Sequence, residues 1–187
     1  MLGATDKTIL LKLARATLEA YFVNDETPAC QKPSEALLEQ KGAFVSLHRG
    51  SELRGCIGQL YPDRELYKIV QHCVLSAAFE DTRFIAVMRD ELKDLTIEIS
   101  VLTPFRRIRS VEEIEVGRHG LYIARGGFRG LLLPQVATQY HWDRTKFLEH
   151  TCMKSGLPES AWQDPHTMIH TFEAEVFSES QIPTSIK

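Results

Sequence analysis

Apolar residues recur every three or four positions in two long stretches of the chain and alternate with polar residues in several shorter ones. The helical spacing predicts helices over 6–22 and 63–78, each with one apolar face and an aspartate that can cap its first turn. The alternation predicts strands over 43–47, 95–102 and 171–177. Each of these segments therefore has one face suited to a core.

Glycine, proline and aspartate mark the boundaries of the remaining elements. The glycine pair at 126–127 predicts a hairpin between strands over 121–125 and 128–133. Pro134 fits the first turn of a short helix, and Asp143 can cap another. Because hairpins recur and crossover helices are too few for a parallel sheet, the pattern predicts an α+β fold with a largely antiparallel sheet flanked by helices.

The composition is that of an ordinary globular domain, with 43% hydrophobic and 25% charged residues in 187. A chain of this length can bury a substantial core, and we expect one domain whose ordered part covers about 6–178. No apolar run has the length of a membrane helix and the N-terminus lacks a signal-peptide layout, so a cytoplasmic location is expected. The net charge of −3 makes nucleic-acid binding the weakest of the function classes considered.

The cysteines are scattered along the chain without a close pair, at Cys30, Cys56, Cys73 and Cys152. This spacing supports neither a zinc site nor a cysteine-bound iron–sulfur cluster. We therefore expect no metal and no cofactor in this chain. Cys73 and Cys152 fall on the apolar faces of predicted helices, which indicates core positions.

The segment Leu53–Gly58 contains an arginine, a thiol and two glycines within six residues. A nearby cation favours the thiolate, and Gly55 and Gly58 let the backbone turn sharply or approach a ligand closely. Cys56 is therefore a candidate nucleophile near the end of a strand, with Arg54 as its cation. The alternative is that Cys56 is a small apolar residue on a buried strand and that the glycines form a bulge.

Other candidate residues lie in three places along the chain. Asp81 and Arg83 follow the second long helix, where they form either a site or a simple surface ion pair. Glu98 and Ser100 share the polar face of one strand, which is either solvated or the lining of a cleft. His119, in a glycine-flanked turn, is either a proton carrier or a surface residue.

A basic cluster runs directly into an acidic one, with Arg106, Arg107 and Arg109 followed by Glu112, Glu113 and Glu115. Alternating blocks of this kind usually mark a solvated edge or connection. The alternative is a phosphate-binding patch.

The chain resembles the AMMECR domain family, which includes AmmeMemoRadiSam system protein A, over nearly its whole length. The resemblance rests on segments that match in order, at 42–47, 53–58, 77–84, 98–104, 117–121, 131–136 and 154–158. The sequence departs from the family at Thr82, where proline is usual, so the turn before Arg83 is expected to be less rigid.

The resemblance implies a single domain over 1–187 with two intimately joined lobes that share a curved sheet and enclose a cleft. Carried over by position, the cleft residues are Arg54, Gly55, Cys56, Gly58, Asp81, Arg83, Glu98, Ser100, His119, Pro134 and Gln135. The resemblance also implies two partners, a Memo-type protein and a radical-SAM protein, and any iron–sulfur cluster would lie on the latter.

Two functions fit these residues. In the first, the protein is an enzyme or enzyme subunit in which Cys56 is a nucleophile or covalent anchor, Arg54 or Arg83 holds a small anionic ligand, and Glu98 or His119 moves protons. In the second, it is a non-catalytic interaction or scaffold protein, and the groove around 53–58 docks a partner.

Overall fold

The computed structural model describes residues 1–23 and 26–181, which form two compact units. The first unit comprises Met1–Val101 together with the chain from Glu175, and the second comprises Leu102–Ala174. Each unit has its own four-stranded sheet and its own apolar core. The α+β class and the antiparallel pairing are confirmed, with the strands divided between two sheets.

Five helices and eight strands are assigned within the described residues. The helices are α1 (Ala4–Tyr21), α2 (Glu35–Leu38), α3 (Leu66–Phe79), α4 (Pro134–Gln139) and α5 (Arg144–Lys154). The strands are β1 (Ala43–Arg49), β2 (Glu52–Gln59), β3 (Leu95–Leu102), β4 (Arg106–Arg107), β5 (Gly120–Arg125), β6 (Phe128–Leu132), β7 (Met168–Phe172) and β8 (Ala174–Ser178). None of the described helices combines the length and the apolar character that crossing a membrane requires.

The first unit packs α1 and α3 on one face of a sheet with the strand order β2-β1-β3-β8. The period of two in β1 explains this arrangement, because Ala43, Val45 and Leu47 are fully buried while the residues between them stay half-buried. The second face of the sheet therefore carries the polar side chains of β1. Strand β2 lies at the edge of this sheet.

Gly55 brings the edge strand into direct contact with α3. A Cβ at this position would lie 2.1 Å from the carbonyl oxygen of Ala77, so any side chain would collide with the helix backbone. The backbone at Gly55 does not have a positive φ. Glycine is required here for the close approach of a strand to a helix, and it forms no turn.

The second unit contains a sheet with the order β4-β7-β5-β6, and α5 packs against it. The predicted hairpin is confirmed, and Gly126 occupies the left-handed region with φ of 59°. Asp143 caps α5 as predicted, because its carboxylate accepts a hydrogen bond from the backbone N–H of Lys146. Cys152 and Cys73 are both fully buried, in agreement with their predicted core positions.

Three predictions about element boundaries are wrong. The strand predicted over 171–177 is two strands, β7 and β8, which belong to different sheets and are separated by Glu173. The N-cap of α1 is Gly3 and that of α3 is Glu65, so neither Asp6 nor Asp63 caps a helix. Asp63 instead binds the adjacent guanidinium of Arg64.

We expect Gly55→Ala to lower the free energy of unfolding by about 1–3 kcal/mol or more, because the methyl group forces β2 away from α3. Denaturant unfolding followed by circular dichroism measures this loss. Gly127→Ala is the matched control, since a Cβ at Gly127 meets nothing within 4 Å and its φ is not positive. Equal stability of the two variants would contradict the packing role of Gly55.

Candidate functional site around Cys56

Cys56 lies in the middle of a strand, as the fifth of the eight residues of β2. The expected position near a strand end is therefore wrong. Cys56 is half-buried and pairs with Ser46 on β1, which in turn pairs with Glu98 on β3. Residues directly opposite each other in an antiparallel sheet share a face. A thiol, a hydroxyl and a carboxylate thus form a row across three strands, on the face away from the helices.

The carboxylate of Asp81 fixes the backbone of Cys56. Asp81 follows α3 and is buried, with 6% of its surface exposed. Its Oδ2 accepts a hydrogen bond of 2.8 Å from the N–H of Cys56, and both oxygens accept from the guanidinium of Arg83 at 2.7–2.9 Å. Arg83 Nη2 also lies 3.2 Å from the carbonyl oxygen of Cys56, to which it donates. Asp81 and Arg83 therefore bind the edge of β2 as a neighbouring strand would.

Hydrogen bonding to Arg83 lowers the pKa of Asp81 to about 2, although burial acts in the opposite direction. The N–H of Cys56 contributes to the same lowering. Asp81 is consequently ionised at neutral pH. A buried carboxylate is stable in this form only because its charge and lone pairs are matched by Arg83 and by backbone donors.

Burial raises the pKa of the Cys56 thiol above its ordinary value. The hydroxyl of Ser46, which donates to Sγ over 3.2 Å, and the charge of Arg83 act to lower this pKa, whereas the carboxylates of Asp81 and Glu98 act to raise it. The net effect keeps Cys56 protonated at neutral pH. The arginine that favours the thiolate is Arg83, and the effect expected from Arg54 is not found.

Arg54 is engaged in holding another segment of the chain. Its Nε and Nη2 each lie 2.9 Å from Glu91, and its Nη1 donates to the carbonyl oxygen of Ile85 over 2.7 Å. A register shift between Leu47 and His48 leaves Arg54 without a partner on β1. Such bulges redirect side chains. Arg54 therefore anchors the segment before β3, and its predicted role in ligand binding stays a prediction.

Arg83 keeps one end of its guanidinium free for a ligand. The Nη1 atom makes no hydrogen bond to the described part of the chain, and the side chain is 55% exposed. The turn that positions Arg83 is closed by a 3.0 Å hydrogen bond from the N–H of Phe84 to the carbonyl oxygen of Asp81. Thr82 occupies the second position of this turn, where proline is favoured because its φ is already set.

Ser46 and His48 belong to the site but were not predicted. Both lie on the polar face of β1, and His48 Nε2 is 4.0 Å from Glu98 Oε1. This nitrogen is buried and has no hydrogen-bond partner among the described residues. His48, Thr96 and Glu98 line a pocket of about 260 Å³ together with Ser178 of β8. The alternation along β1 indicates their face, but only the pairing with β3 joins them to Glu98.

Gly58 and Ser100 pair with Phe44 from opposite sides. A Cβ at Gly58 would lie 2.2 Å from the ring of Phe44, so the absent side chain accommodates that ring. Ser100 is buried on β3. The ring of Phe44 accounts for the glycine at 58. The predicted contact of Gly58 and Ser100 with a ligand stays a prediction.

The remaining predicted residues lie in the second unit. His119 is buried, and its Nδ1 accepts a 3.1 Å hydrogen bond from the backbone N–H of Glu115. Pro134 is the first residue of α4, as predicted, and is buried. The Oε1 atom of Gln135 is buried without a hydrogen-bond partner among the described residues. Their roles in a site stay predictions.

No group of three or more metal-ligating side chains occurs within residues 1–23 and 26–181. The side chains described above around Cys56 supply a thiol, a hydroxyl, an imidazole, carboxylates and a guanidinium.

Comparisons with known proteins identify the family of the chain. The AMMECR1 family model matches residues 11–177. The chain belongs to the AMMECR1 family. A Methanopyrus kandleri member is 41% identical over 182 residues, covering 92% of this chain and 87% of its own. A Thermococcus gammatolerans member is 42% identical over 182 residues, covering 91% and 88%.

A solved structure shares the AMMECR1 fold described above. The crystal structure of an uncharacterised protein from Pyrococcus horikoshii superposes with a TM-score of 0.90 at 36% identity, covering 95% of this chain and 93% of the other. The comparisons thus show the family and the fold.

In this AMMECR1 domain we expect Asp81→Asn to lower the free energy of unfolding at pH 7 by about 2 kcal/mol, since the amide loses its charge interaction with Arg83. A lowered carboxyl pKa stabilises the fold above the unfolded pKa of about 4 and loses this effect as the pH falls through about 2. Denaturant unfolding from pH 7 to pH 2 should show the two curves converging over that window. Asp90→Asn, at an exposed position, is the control; unchanged stability of Asp81→Asn at pH 7 contradicts the prediction.

Proposed function

We propose that this AMMECR1 protein is a component of a modification system in which Cys56 is the nucleophile or covalent anchor. The observation that supports this most is the placement of the thiol, which faces Ser46 and Glu98 while Asp81 and Arg83 hold its backbone from the other side. A cysteine used only for packing requires neither a hydroxyl donor to its sulfur nor a carboxylate in the same row.

The proposed chemistry begins with proton transfer from the thiol to Glu98 through the hydroxyl of Ser46, which lies between them in the row. The thiolate sulfur then attacks an electrophilic carbon of the substrate, and the bond from that carbon to the leaving group breaks with its electron pair on the leaving group, which takes the proton from Glu98. The free Nη1 of Arg83 binds an anionic group of that substrate. His119 is retained as a second candidate for proton transfer.

We also propose that the protein acts with a Memo-type protein and a radical-SAM protein, as the family resemblance implies. An iron–sulfur cluster used in such a system lies on the radical-SAM partner. Cys56 then holds or transfers the group that the partners modify.

The alternative proposal is a non-catalytic scaffold, and the segment held by Arg54 supports it. Ile85 and Met88 are 79% and 56% exposed, although both are large and apolar. Arg54 donates a hydrogen bond to the carbonyl oxygen of Ile85, and the carboxylate of Glu91 accepts one from the backbone N–H of Met88. Apolar side chains on a rigidly held backbone are suited to anchor a partner because little entropy is lost when they bind.

We expect alkylation of Cys56 in the native protein to have a pH midpoint above about 8.5, the value of a free thiol. Glu98→Gln should lower this midpoint, because it removes a negative charge near the sulfur, and Ser46→Ala should raise it, because it removes a hydrogen bond to the thiolate. Mass spectrometry resolves Cys56 from Cys73, whose pKa burial raises to about 12. A midpoint well below that of a free thiol, or equal midpoints in the two variants, contradicts this description.

We expect a covalent adduct at Cys56 when the protein is reconstituted with Memo-type and radical-SAM partners, detectable by intact-mass and peptide analysis. Cys56→Ser should abolish both the adduct and the modification reaction. Cys30→Ser is the control, since Cys30 is a half-buried cysteine outside the site. A modification reaction that proceeds unchanged with Cys56→Ser removes Cys56 from the chemistry.

The same reconstitution tests whether this segment is the docking site of the scaffold proposal. We expect Ile85→Ser combined with Met88→Ser to abolish co-purification with the partners and to leave the pH midpoint of Cys56 alkylation unchanged. Met153→Ser, at a position 47% exposed in the second unit, is the matched control. Unchanged association of the double variant eliminates this segment as the docking site.

A further inference from the structure

The second unit contains a pocket of about 640 Å³ that the proposed function does not use. Its walls come from the end of β4, the following segment 108–111, the end of the 3-10 helix Glu159–Gln163, the segment 164–167 and the start of β7. Pockets that hold small molecules have volumes of about 300–1,000 Å³. The pocket is therefore large enough for a ligand of mononucleotide size.

Two arginines without a carboxylate partner line this pocket. Arg107 and Arg109 are exposed, and neither side chain forms an ion pair with the described residues. The carboxylates nearby are already paired, Glu113 with Arg106, Glu112 with Arg144 and Asp164 with Arg125. Arg106 thus behaves as expected for a solvated edge of alternating charges. Arg107 and Arg109 also line the pocket, together with Asp164, whose charge is paired with Arg125.

The charge of Arg107 also acts on its neighbour in the sheet. Arg107 pairs with His170 on β7. Burial lowers the pKa of His170, and the positive charge of Arg107 lowers it further.

The pocket is also lined by apolar residues, which include an aromatic one. Trp162 is half-buried and packs against the core of the second unit, and Ile108 and Ile169 continue the same surface. Gln163 adds an amide that can both donate and accept hydrogen bonds. A planar group can rest on the indole while its polar edge meets this amide.

We propose that this pocket binds a small phosphorylated molecule with a planar group, its phosphate held by Arg107 and Arg109 and its planar group against Trp162. Guanidinium groups bind phosphate oxygens through paired hydrogen bonds, and two of them match one phosphate. The pocket belongs wholly to the second unit, so this proposal does not depend on the chemistry of Cys56.

Isothermal titration calorimetry with adenosine monophosphate as the probe tests the proposal. We expect Arg107→Gln combined with Arg109→Gln to weaken binding by about tenfold to a hundredfold, because charge-assisted hydrogen bonds are lost. Arg129→Gln, an exposed arginine of β6 outside the pocket, should change binding by less than about twofold. Inorganic phosphate and adenosine alone should each bind more weakly than the complete probe.

The fluorescence of Trp162 provides a second measurement, which tests the contact between its indole ring and the ligand. The protein contains two tryptophans, so Trp142→Phe leaves Trp162 as the single indole, and adenosine monophosphate should quench its fluorescence. Absence of binding at millimolar probe overturns the proposal, as does equal weakening by Arg129→Gln. Inorganic phosphate that binds as tightly as the probe overturns the contact with Trp162.

Discussion

The buried carboxylate of Asp81 is the interaction on which the arrangement around Cys56 depends. It joins the end of α3 to the edge of β2 by accepting from the N–H of Cys56 and from Arg83. Transfer of a carboxylate out of water is costly, and removal of either set of donors would leave that cost uncompensated. The same contacts satisfy an exposed strand edge, which otherwise invites pairing with another chain. One ion pair thus protects the edge and orients the thiol.

Two motifs that lie apart in the sequence form one structural unit through these contacts. Gly55 lets β2 approach Ala77, Cys56 binds Asp81 through its backbone, and Arg54 holds the segment that follows. Packing or hydrogen bonding therefore explains the residue type at several positions of the segment 53–58. These contacts involve the backbone of Cys56 and leave its thiol available. The proposed chemistry therefore centres on the thiol.

The fold was predictable where a pattern is local. Helical spacing located α1 and α3, and the glycine pair located the hairpin, because both depend on neighbouring residues. The two strands β7 and β8 were merged because a single residue, Glu173, separates them, and alternation does not reveal a change of sheet. Ser46 and His48 were missed for a related reason. Their proximity to Glu98 arises from the pairing of β1 with β3, which are far apart in the sequence. The amino-acid composition of the two strands does not specify the register of that pairing.

Burial is the main reason that the pKa of the Cys56 thiol is raised, and the charge of Glu98 raises it further. The negative charge of Glu98 disfavours the thiolate of Cys56, yet this repulsion disappears once Glu98 itself takes the proton. Transfer within the pair therefore avoids the repulsion between thiolate and carboxylate that loss of the same proton to solvent would leave. An anion bound to Arg83 would neutralise the charge that favours the thiolate, which makes an internal base more necessary still. The resting thiol is thereby protected from adventitious reaction, and only a substrate positioned beside both groups benefits from the transfer.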